Sequence, residues 1–184
     1  MSIPNILSMF RLLMAPVFVF LYFSGYTYAS LYAAIIFLIA SITDVLDGMI
    51  ARKYGYTTEL GKILDPLGDK VMTFTVLICI TVDKVIPVWI VIVFAIKEAL
   101  MGIGGLILHK KVSSIPYSNY LGKAATVVFF VVCSVLILFP DVPKSTAMIM
   151  MIVAIMIMVL AFISYLATFL KIIREETDSR ADAE

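Results

Sequence analysis

The sequence predicts an all-α integral membrane protein: six transmembrane helices preceded by a short N-terminal amphipathic helix. Three observations carry that reading. Of the 184 residues, 62% are hydrophobic and only 15% charged, with a mean hydropathy of +1.08. That composition excludes an ordinary soluble domain. Six apolar stretches each reach the roughly 20 residues a helix needs to cross a hydrocarbon core. The lysines and arginines fall on alternate connections between those stretches, as they do in multi-pass proteins.

Taken in order, the stretches lie near residues 5–25, 30–53, 61–82, 86–109, 120–139 and 145–171. The first opens amphipathically, with Ile3, Ile6, Leu7 and Phe10 against Asn5, Ser8 and Arg11. Pro16 can kink it. Thr27-Tyr28-Ala29 weakly resembles a signal-peptide cleavage site. The charge alternation works only if the first stretch is retained as a span, so we read it as one. The second and third stretches each carry two aspartates near one end. Residues 1–174 form the membrane domain, and 175–184 form a polar, acidic tail expected to fray.

Arg11 precedes the first span. Arg52, Lys53 and Lys62 lie between the second and third, Lys110, Lys111 and Lys123 between the fourth and fifth, and Lys171 and Arg174 after the sixth. The opposite connections hold only Lys84 and Lys144, each near an aspartate. The expected location is a cell membrane, most simply a bacterial plasma membrane. Both termini and the aspartates then face the cytoplasm. Cys79 and Cys133 sit in apolar runs without metal-ligand spacing and read as packing residues. The single histidine, His109, stands beside Lys110 and Lys111 at an expected membrane interface.

The aspartates are the informative residues, because a carboxylate in a membrane segment is costly and usually functional. Asp44 and Asp47 are i, i+3 on one helix, and Asp65 and Asp69 are i, i+4 on the next. Both spacings put side chains on one helix face. The short link from Lys53 to Leu60 makes the two helices antiparallel neighbours, so the four carboxylates can converge. Four adjacent anions repel at low dielectric unless protons or cations neutralise them. All-oxygen ligands suit Mg²⁺, Mn²⁺ or Ca²⁺, and paired hard metals commonly handle phosphoryl groups. Gly48, Ala51, Gly61 and Gly68 leave room for a ligand or another backbone. Arg52 and Lys62 add phosphate-binding charge at the mouth. Salt bridging at the interface would not require this spacing. An ion-coupled transporter would favour mid-membrane acids and repeated halves, and no repeat is visible here.

From Asp44 to Asp69 the chain reads D-x2-D-G-x2-A-R-x8-G-x3-D-x3-D, eight fixed residues over 26. This pattern resembles the signature of the CDP-alcohol phosphotransferases at every fixed position. It covers about a seventh of the chain, while the six-helix hydropathy agrees with that family throughout. The resemblance implies two divalent ions, Mg²⁺ or Mn²⁺, held by Asp44, Asp47, Asp65 and Asp69, with Asp69 also the catalytic general base. It implies a cytidine nucleotide pocket lined by Gly48, Ala51 and Gly61 with Arg52 nearby. Asn5 and Ser8, in a Pro-Asn-x-x-Ser run, resemble residues near the nucleotide. The implied substrates are CDP-diacylglycerol and an alcohol. A homodimer in membrane lipid is implied, and no nucleic acid is expected.

The run Asp65-Pro-Leu-Gly-Asp69-Lys70 and the opening Ile3-Pro4-Asn5-Ile6-Leu7-Ser8 with Arg11 are similar to the phosphatidylglycerophosphate synthase branch, and partly to the cardiolipin synthases. The resemblance therefore implies sn-glycerol 3-phosphate as acceptor, with phosphatidylglycerol, inositol phosphate or serine as alternatives. Position 68 is Gly where Ala is usual, and Lys97-Glu98 replaces Arg-Glu, while Gly122-Lys123 is retained. Arg11, Lys62, Lys97 and Lys123 are the candidate acceptor-phosphate ligands. Lys lacks the bidentate fork of Arg.

Overall fold

The computed structural model describes the backbone of residues 3–54, 59–111 and 120–181, and the side chains of 8–43, 68, 70–104, 121–168 and 170. The described residues form six helices and no strand: α1 (Ile3–Tyr22), α2 (Ala29–Tyr54), α3 (Glu59–Val82), α4 (Val88–Lys111), α5 (Tyr120–Leu138) and α6 (Lys144–Ala181). Each apolar stretch of the sequence has become one helix. The amphipathic opening forms the first turns of α1 rather than a helix of its own, because neither Gly nor Pro interrupts residues 5–15. α1 also continues through Pro16. The polar tail is helical through Ala181, since α6 contains no glycine or proline at which to stop. Among the described residues, α5 and α6 are long and apolar enough to cross a membrane, and α1, α2 and α3 contribute shorter apolar stretches.

α1 packs most extensively against α3 and α2, which also touch each other. α5 packs on α6 and α2, and α4 on α6 and α3. A chain of phenylalanines stitches these pairs together. Phe18 of α1 lies 6.5 Å from Phe37 of α2, and Phe37 lies 5.3 Å from Phe130 of α5. Phe129, beside Phe130, stacks on Phe94 of α4 at 5.1 Å, and Phe94 meets Phe74 of α3 edge-on at 5.3 Å. Such offset and edge-on pairs add to plain burial. α6 joins through a stripe of small and flexible residues, Ala147, Met151, Ala154, Met158 and Ala161, all buried. Small residues at this spacing let helices approach closely.

Several hydroxyls on the apolar helices are satisfied locally, although that of Ser134 on α5 is buried without a partner among the described residues. Ser41 and Thr43 of α2 donate to the carbonyls of Phe37 and Ala40, each at 2.8 Å. Thr75 and Thr81 of α3 donate to Val71 and Leu77, each at 2.7 Å. These back-bonds remove donors that hydrocarbon could not accommodate.

Two backbone sites carry special constraints. α3 ends in a Schellman motif. The Lys84 amide donates to Thr81 at 2.9 Å and the Val85 amide to Ile80 at 3.1 Å, which puts Lys84 in the left-handed region at φ 59°. Within α3, a Cβ built on Gly68 would meet the Ser8 carbonyl oxygen at 3.1 Å and the Arg11 Cβ at 3.7 Å. The missing side chain lets α1 lie directly on α3.

Replacing Lys84 with Gly should relieve about 1 kcal/mol of left-handed strain and raise the melting midpoint in detergent by roughly 2–4 °C. Gly68→Ala should be near neutral, because helix propensity gains about 1 kcal/mol while the Ser8 carbonyl must give by a few tenths of an ångström. Gly68→Leu should cost about 1–3 kcal/mol by forcing α1 off α3. Thermal melts of the three variants check all of this.

Candidate active site

Asp44 and Asp47 lie within the unbroken helix α2, and Asp65 and Asp69 within the unbroken helix α3. Each pair therefore keeps the same-face spacing that the sequence expectation needs. The side chains of these four residues, and those of Asn5, Gly48, Ala51, Arg52, Gly61 and Lys62, lie outside the described residues. Among the described residues, no group of three or more His, Cys, Asp or Glu could hold a metal.

What the structure describes is the wall around that motif. Ser8 and Arg11 are fully enclosed, at 0% and 1% exposure. They sit on the face of α1 that meets Gly68, the residue before Asp69. The Arg11 guanidinium is thus shut between helices beside the aspartate helix, and not on an open rim. A cation so buried needs anionic or hydrogen-bonding company.

On the other flank, Lys70 directly follows Asp69. Its ammonium pairs with the Glu98 carboxylate of α4, as does that of Lys97. Glu98 is only 10% exposed and Lys97 15%, while Lys70 is 41% exposed. Lys97 also lies 5.8 Å from the centre of the Phe94 ring, within cation–π range. α3 and α4 are therefore joined by charge at the level of the last motif aspartate.

Lys97 then faces a cavity of about 410 Å³ between α4, α5 and α6. Its polar lining includes Lys97, Lys123, Thr126 and Tyr165, and its apolar lining includes Met101, Met158 and Phe162. Two of the four expected acceptor ligands, Lys97 and Lys123, thus share one cavity, with Gly122 in its wall. Arg11 lies apart from that lining, in the α1–α3 contact.

Sequence reasoning assigned no role to Glu98, named only beside Lys97, and did not point to Tyr165 at all. Glu98 carried a usable signal, being a fifth acid on an apolar helix. Tyr165 carried none, since its place opposite α4 and α5 is purely a matter of packing.

Comparison with known proteins gives this arrangement a family. The sequence model described as CDP-alcohol phosphatidyltransferase matches residues 1–169. A probable phosphatidylglycerophosphate synthase of Mycobacterium tuberculosis is 32% identical over 174 residues, covering 92% of this chain and 82% of that protein. The CMP-forming cardiolipin synthase of Streptomyces coelicolor is 33% identical over 129 residues, 68% of this chain and 60% of its own length. The CDP-diacylglycerol–glycerol-3-phosphate 3-phosphatidyltransferase of Wigglesworthia glossinidia brevipalpis is 38% identical over 104 residues, 55% and 57% respectively. The matches to these last two span less than two thirds of each relative's length. With the family model reaching from α1 far into α6 and the motif aspartates seated on α2 and α3, the chain belongs to the CDP-alcohol phosphatidyltransferase family.

Proposed function

We propose that this protein transfers a phosphatidyl group from CDP-diacylglycerol to sn-glycerol 3-phosphate, giving phosphatidylglycerophosphate and CMP for phospholipid synthesis. The observation that carries the reading is the eight-residue motif on two touching helices, with a lysine-bearing cavity one helix away. Its membrane setting follows from the exterior. Large apolar side chains stand exposed on all six helices, among them Phe20, Ile42, Ile78, Ile96, Val127 and Leu160. Water would not tolerate that surface, whereas lipid would. We read all six helices as spans, with both termini and the motif on the cytoplasmic side of a bacterial plasma membrane, in a homodimer.

Four carboxylates on neighbouring helices make a hard, all-oxygen donor set that fits two divalent ions, Mg²⁺ or Mn²⁺. Asp44, Asp47, Asp65 and Asp69 would hold them. When bound, the ions supply charge neutralisation for the diphosphate and for departing CMP. The chain does the rest. Gly48, Ala51 and Gly61 leave space for the cytidine, with Asn5, Ser8 and Arg52 beside it. Lys97 and Lys123 hold the acceptor phosphate, with Arg11 and Lys62 adding positive charge. Asp69 takes the proton from the acceptor hydroxyl. The new oxygen bonds to the phosphorus carrying diacylglycerol, the bond from that phosphorus to the CMP oxygen breaks, and CMP leaves. Positioning and charge neutralisation provide most of the acceleration.

A second reading is cardiolipin synthesis with phosphatidylglycerol as acceptor. Met101, Met158 and Phe162 favour it, because an apolar wall suits an acceptor that carries acyl chains. Purified protein given CDP-diacylglycerol and Mg²⁺ should release CMP with glycerol 3-phosphate. Release with phosphatidylglycerol alone would replace the first reading by the second, and inositol phosphate and serine complete the panel.

Asp69→Asn should lower turnover by about 10²–10⁴-fold while the melting midpoint stays near that of the wild type. Full activity in that variant would remove Asp69 from its role. Chelation with EDTA should abolish CMP release, and added Mg²⁺ or Mn²⁺ should restore it. Retained activity in EDTA would rule out the metal assignment.

A further inference from the structure

We propose that Glu98 is a positioning residue for the transfer reaction, a single carboxylate that fixes Lys97 at the cavity wall by tying it to Lys70 beside the aspartate motif. The proposal rests on the functional reading above and deepens it. Glu98 is almost enclosed on an apolar helix, where an unpaired carboxylate would be strongly disfavoured. A structural ion pair needs one partner, yet Glu98 takes two ammonium groups from different helices. One belongs to the residue after Asp69, and the other lines the cavity shared with Lys123. The carboxylate therefore ties the turn of α3 that carries Asp69 to the wall of the cavity where the acceptor phosphate would bind.

The chemistry of lysine makes such a partner necessary. An ammonium on a four-carbon stem has no fixed fork and swings readily toward water. Lys97, little exposed and lying near Phe94, stays inward because Glu98 and the Phe94 ring hold it. Without the negative charge, Lys70 and Lys97 repel each other, and Lys97 leaves the wall. The phosphate end of the acceptor then loses its anchor, while the nucleotide side, built on α1, α2 and α3, is untouched.

The test uses the full chain in detergent micelles with CDP-diacylglycerol, comparing wild type, Glu98→Gln, Glu98→Asp, Lys70→Gln and the double variant Lys70→Gln/Glu98→Gln. The acceptor is whichever one the wild type uses. Glu98→Gln should raise the acceptor KM by roughly 10- to 100-fold, with the KM for CDP-diacylglycerol and the melting midpoint close to wild type. Glu98→Asp should recover part of the loss. Lys70→Gln, at the more exposed side of the contact, should reproduce a smaller share of it even if Glu98→Gln folds poorly. The double variant should be no worse than Glu98→Gln alone, because both single changes cut one link. An unchanged acceptor KM in Glu98→Gln, a loss that tracks the melting midpoint, or strictly additive effects would each overturn the proposal. If the wild type releases CMP with none of the four acceptors, the functional reading falls by itself. Calorimetric binding of inorganic phosphate then decides the role of Glu98: weaker binding in Glu98→Gln upholds it, and equal binding overturns it.

Discussion

Negative charge on an apolar helix has to be answered by positive charge or by metal, and this requirement organises one whole end of the molecule. Asp44, Asp47, Asp65 and Asp69 occupy two neighbouring helices, and Glu98 on a third pairs with Lys70, the residue after Asp69. The cations follow the anions. Arg11 is buried on α1 against the aspartate helix, Lys70 reaches across to α4, and Lys97 leans on Glu98. The phenylalanine contacts running from α1 through α2 and α5 to α4 and α3 hold the bundle together beside these charges.

Gly68 shows how closely packing and chemistry are linked here. The contact of α1 with α3 leaves room at position 68 for no more than a very small side chain, and that contact carries Ser8 and Arg11 to the motif. A phosphotransferase must align its donor and acceptor to within fractions of an ångström. A glycine in the helix wall achieves part of that alignment without contributing any functional group.

The helices were legible because each apolar stretch is bounded by polar or turn-forming residues. The expected limits of the third and fifth stretches, 61–82 and 120–139, lie within two residues of α3 and α5. The family was legible because the motif contains eight residues at fixed intervals. Other features depend on tertiary contacts that have no periodic trace. Nothing in the sequence says that Arg11 is shut between two helices, that Tyr165 looks into the cavity, or that Glu98 bridges two lysines. The continuation of α6 through Ala181 escaped a composition-based reading, since a polar segment without breakers can extend a helix already nucleated.

The two ends of the chain stand in unequal relation to the proposed chemistry. α1 begins at Ile3, and two turns later Ser8 and Arg11 are already packed against the motif helix. α6 instead runs on for thirteen residues beyond its apolar stretch, from Thr168 to Ala181. At 1.5 Å per residue that is a rigid stem of about 20 Å. A fluorophore, affinity handle or partner domain attached after Ala181 is therefore carried about 20 Å beyond that apolar stretch on a built-in standoff. The same body attached before Ile3 would press on the helix that frames the site.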